Sequence, residues 1–159
     1  MSDVLVTMSD TAAETVQDLI RLNVDAAEGF TAAAERVEDA RVAELFREYA
    51  AQRSSNAEAL KASVAFNGEE PAQSGTTRGT LHRWWLEIRG TVTGGDTAKV
   101  LADAETGEDV IKHRYEDAIK ECAGSPVAEL LTSQYRNVKA AHDHVRDLRD
   151  AYKASKDAK

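Results

Sequence analysis

Four stretches of this chain place apolar residues at alternating steps of four and three. That spacing suits helices packed lengthwise against one another. The first seam reads Val16, Ile20, Asn23, Ala27, Phe30, Ala34 and Val37. The second reads Leu45, Tyr49, Gln52, Asn56, Leu60 and Ser63, with Val42 and Phe46 alongside. The third is Leu101, Ala104, Glu108, Ile111, Tyr115 and Ala118, and the fourth runs from Val127 through Leu131, Gln134, Val138, Ala141, Val145 and Leu148 to Tyr152. The only alternation at period two is Val4-Leu5-Val6, too short for a strand of consequence.

Local signals set the helix ends. Thr11 and Glu14 have capping-box spacing, which starts the first helix at Thr11 and carries it to Val37. Asp39 caps a second helix over Ala40–Phe66, stopped by Asn67-Gly68. The third helix spans Thr97–Glu121 and ends at Ala123-Gly124. Ser125 then caps the fourth, with Pro126 in its first position, and the tail from Lys153 is expected to fray. Each helix of about 25 residues is roughly 38 Å long.

Short links join the first two helices and the last two, so each pair is expected to be an antiparallel hairpin. The one long link, Gly68 to Gly79, opens a crossover in which Leu81, Trp84, Trp85, Ile88 and Val92 fall on one face of a further short helix. The fold expected is therefore all-α: a ferritin-like antiparallel four-helix bundle with a crossover containing a short extra helix. The bundle occupies residues 11–153, between an extension over 1–10 and a tail over 154–159.

Composition narrows the function classes. A formal net charge of −8 argues against nucleic acid as a partner, since phosphate binding calls for a basic stripe. No apolar run reaches the roughly 20 residues that span a bilayer. The start, MSDVLVTMSD, has neither the basic nor the long apolar region of a secretory signal, so a cytoplasmic location is expected. The one cysteine, Cys122, reads as a packing residue.

Polar residues interrupt every seam near its middle: Asn23 with flanking Glu28, then Gln52 and Asn56, then Glu108, then Gln134 with flanking His142. Buried polar groups cost free energy unless they are paired. Such a layer either hydrogen-bonds to itself and fixes helix register, or holds an ion. A di-iron bundle needs Glu-x-x-His on two of its helices. The residues three places before His82, His113, His142 and His144 are Gly79, Val110, Lys139 and Ala141, so the motif is absent. Glu58 is followed at the same spacing by Lys61, and Lys139 brings a cation to the corresponding place on the fourth helix.

A reduced site would draw on Glu28, Glu105, Glu108 and His142 and take iron, manganese or zinc. Asp109 with Glu105 or His113 reads as a solvated helix face. His142 and His144 point about 200° apart on the helix and cannot share an ion. Hydrolase, zinc-protease and phosphate-loop motifs are absent.

Four stretches together carry a resemblance: Leu81-His82-Arg83-Trp84 with Leu86, Ile88 and Arg89; Thr93-Gly94-Gly95-Asp96; Glu105-x-Gly107-Glu108-Asp109 with Tyr115-Glu116-x-Ala118; and Gln134-Tyr135 with Lys139-Ala140-Ala141-His142-Asp143 and Val145-Arg146-x-Leu148-Arg149-Asp150. In order and spacing they resemble a bacterial family of four-helix-bundle proteins that carries a domain of unknown function and is grouped with the ferritin-like superfamily. The resemblance spans roughly Thr11 to Tyr152. It implies the fold, a bacterial source and a cytoplasmic location, and supplies no catalytic residues.

The reading that results is a non-catalytic binding or structural bundle with no resident cofactor. Its polar core layer is Asn23, Gln52, Asn56 and Gln134. It is expected to self-associate as a homo-oligomer, most simply a dimer through the Trp84-Trp85 face, or to hold a protein partner on its acidic surface. The metal-binding bundle is the alternative.

Overall fold

The computed structural model describes residues 8–73, 75, 83, 86 and 96–157. Four long helices account for most of them: α1 (Asp10–Arg36), α2 (Ala40–Phe66), α3 (Thr97–Glu121) and α4 (Ala128–Asp157). No strand occurs among the described residues. Most of the expected crossover helix, both tryptophans and Val4-Leu5-Val6 lie outside the described residues; Arg83 and Leu86, within that stretch, are helical.

The caps follow simple chemistry. Ser9, rather than Thr11, caps α1, its Oγ accepting from the Ala12 amide at 3.1 Å. Asp39 caps α2 through the Arg41 and Val42 amides at 2.8 and 3.3 Å, and its second oxygen accepts from the Tyr152 hydroxyl on α4. Asp96 caps α3 through the Ala98 amide. Gly68 and Gly124 take φ of +84° and +79°, the left-handed conformation that stops α2 and α3 where an L-side chain would be strained.

α1 shifts by one residue at each end, and both ends of α4 shift further. The turn over Ser125–Val127 precedes α4, whose first residue is Ala128, because the Leu131 amide closes on Val127 O at 3.0 Å. At the other end α4 continues to Asp157, so the residues from Lys153 to Asp157 are helical rather than frayed. The Tyr152–Asp39 bond anchors that last part of the helix to α2.

Cross-helix bonds fix the directions. α1 is antiparallel to α3, since Thr15 meets Glu121 and Asn23 meets Tyr115. α3 is antiparallel to α4, since Glu105 meets Arg149 and Tyr135 meets Glu116. α2 is antiparallel to α4, since Tyr49 meets His144 and Asn56 meets Gln134. With α1 and α2 joined as a hairpin through three residues, α2 and α3 run the same way and face each other diagonally. α2 therefore ends at the opposite end of the bundle from the start of α3. The chain leaves α2 along α1: Gln17 donates to Glu70 O and accepts from the Ala72 amide. Gly75 lies so close over Asp25 that a Cβ there would run into the carboxylate.

The core between these helices includes Val16, Ile20, Phe30, Phe46, Leu60, Leu101, Ile111, Leu131 and Val145, all fully buried. Each such side chain contributes about 1.5–3 kcal/mol of burial free energy. The buried stripe of α2 differs from the expected seam. It follows Val42, Phe46, Tyr49, Arg53, Asn56, Leu60 and Val64, while Leu45, Gln52 and Ser63 are only half-buried. The helix is rotated so that position 53, seven residues from both Phe46 and Leu60, faces the centre.

Candidate functional site

The bundle centre is built around an ion pair. Arg53 on α2 and Glu108 on α3 both have side chains with no solvent exposure, and Arg53 Nη2 donates to the two Glu108 carboxylate oxygens at 2.9 and 2.7 Å. Arg53 Nη1 donates to Gln52 Oε1 at 2.9 Å, and the guanidinium lies 5.9 Å from the Phe30 ring centroid, within cation–π range. Phe30 in turn stacks at tilted angles on Phe46 and Tyr49. Burial pushes the Glu108 carboxyl upward, opposed by the charge and hydrogen bonds of Arg53. Burial also raises the Tyr49 and Tyr115 phenols to about 12.

Beside the ion pair, a chain of hydrogen bonds crosses all four helices. Asn23 Nδ2 donates to Leu19 O within α1 and to the Tyr115 hydroxyl of α3, both at 2.8 Å. Tyr115 donates to Gln134 Oε1 of α4 at 2.7 Å, and Gln134 Nε2 donates to Asn56 O of α2 at 3.2 Å. Each group is buried, so each bond replaces one to water and the chain fixes the heights of the helices. Asn23 Oδ1, Arg53 Nε and Asn56 Nδ2 lie buried with no partner among the described residues.

A second cluster lies where α3 meets α4. His142 is buried, with Nε2 at 2.5 Å from Asp109 Oδ1 and Nδ1 at 3.0 Å from Asp143 Oδ1. Glu105, one turn before Asp109, pairs with Arg149. Glu105, Asp109 and His142 bring one ligand atom each to within 4.8 Å of one another. Asp143 also accepts from Lys139 at 2.9 Å; the His142 bond first, then this one, holds its carboxyl down at about 2.

The expected residues therefore divide. Asn23, Asn56, Gln134 and Glu108 are buried at the centre. His142 is buried at the α3–α4 contact beside Glu105. Gln52 sits at the margin of the layer and touches it through Arg53. Glu28 is exposed on α1, in a shallow surface depression with Thr31, Glu35 and Arg36, and neither it nor Glu108, which is held by Arg53, joins Glu105 and His142. Lys61 and Lys139 bond to carboxylates of their own helices, Glu58 and Asp143.

Sequence reading missed Arg53, the cation that does reach the centre, and Asp109, which looked like a solvated-face residue. Arg53 carried a signal in its seven-residue spacing from Phe46 and Leu60. Asp109 carried one in its single-turn spacing from Glu105.

No helix of the described chain is long and apolar enough to cross a membrane. No curated protein matches this chain. Residues 11–121, which take in α2, α3 and all but the first residue of α1, match the family model described as Domain of unknown function (DUF2383), and the chain belongs to that family.

Proposed function

We propose that this chain is a ferritin-like bundle that serves as a non-catalytic binding or structural module in the bacterial cytoplasm, working as a homo-oligomer. The up-down-down-up course of the four helices supports the ferritin-like assignment, because bundles of that class have one long connection between two hairpins. The observation that carries the functional reading is the Arg53–Glu108 pair. In di-iron bundles, carboxylates and histidines project inward and their charge is balanced by metal. Here the central carboxylate is already matched by a guanidinium donating to both of its oxygens, and the flanking Asn23, Tyr115 and Gln134 side chains are neutral groups that bond to one another in a chain.

Self-association is supported by Phe66, 82 % exposed at the end of α2 beside an apolar groove that includes Met8, Pro126 and Val127. The formal charge of −8 favours a protein partner over nucleic acid.

The test is ferrous-iron oxidation by untagged protein, with molar mass by light scattering alongside. The expected result is a dimer or larger species whose iron oxidation is no faster than that of the E108Q variant. A strictly monomeric particle, or an oxidase activity that E108Q abolishes, defeats the reading.

A further inference from the structure

We propose that Glu105, Asp109 and His142 form a binding site for one divalent transition-metal ion at the edge of the α3–α4 contact. This site is separate from the bundle centre and stands whether or not the centre is inert.

The donor set carries the argument. One imidazole nitrogen and two carboxylate oxygens already lie within 4.8 Å of one another. Two carboxylates balance a doubly charged ion, and a nitrogen–oxygen set of this kind suits zinc, manganese or ferrous iron rather than metals that seek thiolates. Glu105 and Asp109 reach the same place because residues four apart share a helix face.

The histidine is oriented for the task. Asp143 Oδ1 lies 3.0 Å from Nδ1, which turns Nε2 toward Asp109. A carboxylate on the far nitrogen of a ligating histidine is the usual means of fixing its ring and raising its basicity. In this role Asp143 is a positioning residue.

Exposure is graded as a binding site requires. The His142 and Glu105 side chains are 7 % and 12 % exposed, while Asp109 is 50 % exposed. Two donors are thus held by packing, and the third is reachable from solvent and can swing. Ligand bonds of about 2.0–2.2 Å place neighbouring donors more than 3 Å apart, so the Asp109–His142 pair has to open by roughly 1 Å around an ion. Arg149 contacts Glu105 and competes with the ion for it. The same cation supplies the compensating charge when no ion is held.

The experiment uses full-length untagged protein, stripped with a chelator and titrated with zinc chloride by calorimetry, with native mass spectrometry for stoichiometry. One zinc per chain is expected. H142A and E105Q should abolish the calorimetric signal while retaining the helical circular dichroism of the parent. D143N should weaken binding about 10–100-fold. R149Q should tighten it, a change that loss of structure does not produce, and H144Q should leave it unchanged. Absence of zinc uptake by the parent protein, or parental affinity in H142A, overturns the proposal and leaves the cluster as an ion-pair network between α3 and α4.

Discussion

Replacing Arg53 by Met removes the guanidinium from the bundle centre while keeping most of the side-chain volume. The Nη2–oxygen distances of 2.9 and 2.7 Å put the two charges at about 4 Å, where an effective dielectric constant near 20 gives about 4 kcal/mol of attraction. Desolvation of two fully buried ions offsets much of that, so the net contribution of the intact pair is small. Breaking it is another matter, because Glu108 then stays buried without a counter-charge, at a cost of about 3–5 kcal/mol.

Urea unfolding followed by circular dichroism reads this directly. With a slope of about 1–3 kcal/mol per molar, the midpoint should fall by about 2 M. The sign of the pH dependence follows from the carboxyl. Burial already raises Glu108 above its unfolded value, and Arg53 is the main opposing influence. In R53M the group is raised further, so its neutral form is favoured in the folded state. The variant should therefore come closest to the parent below the unfolded carboxyl range of about 4–4.5, and lose stability as the pH rises through the folded value.

The double variant R53M/E108M removes both ions and should lie within about 1 kcal/mol of the parent or above it. An R53M variant within 1 kcal/mol of the parent at neutral pH, or a double variant less stable than either single one, would refute the reasoning.

Other consequences follow from the same packing. Tyr115→Phe strips the shared partner from Asn23 and Gln134 and should cost about 1–3 kcal/mol in the same urea assay, whereas a phenylalanine exchange at half-buried Tyr152 should cost less. Phe30→Ala opens a cavity against Phe46 and Tyr49 and should cost about 3–5 kcal/mol, with lowered thermal stability as the readout. Tyr49 and Tyr115 are raised to about 12 by burial, and Tyr135 to the same value first by its hydrogen bond to Glu116. Each favours the folded state below pH 10 and loses that contribution as the pH rises toward 12, so the tyrosinate absorbance of buried Tyr49 and Tyr115 should appear together with loss of helix, while that of Tyr135 does not require unfolding. Burial raises the Cys122 thiol, which should react with a disulfide reagent at neutral pH only as fast as the protein opens, and at once in urea.

The sequence by itself determined the four helices and their approximate ends, because apolar periodicity and capping chemistry are local. Ser, Asp and Gly act within a few residues of where they stand. It also determined that polar groups interrupt the seams, and five of the residues it singled out, Asn23, Asn56, Glu108, Gln134 and His142, are buried.

Which polar residues meet was decided only in three dimensions. A rotation of α2 by less than one residue's step moved Gln52 to the margin and Arg53 to the centre; the seven-residue spacing of Arg53 from Phe46 and Leu60 permits that rotation but does not select it. It brings Arg53 onto Glu108, 55 positions away in the chain, whose buried carboxylate needs a counter-charge. Asp109 changed meaning in the same way. On an isolated helix it is a solvated acid, and it becomes His142's partner only when α4 is laid antiparallel against α3. Glu28 moved the other way: it lies between half-buried Ala27 and buried Gly29, but the curvature of the helix surface turns it out to solvent. Periodicity assigns a face to within about a third of a turn, and the choice between adjacent positions on that face is made only when the other helices are packed against it.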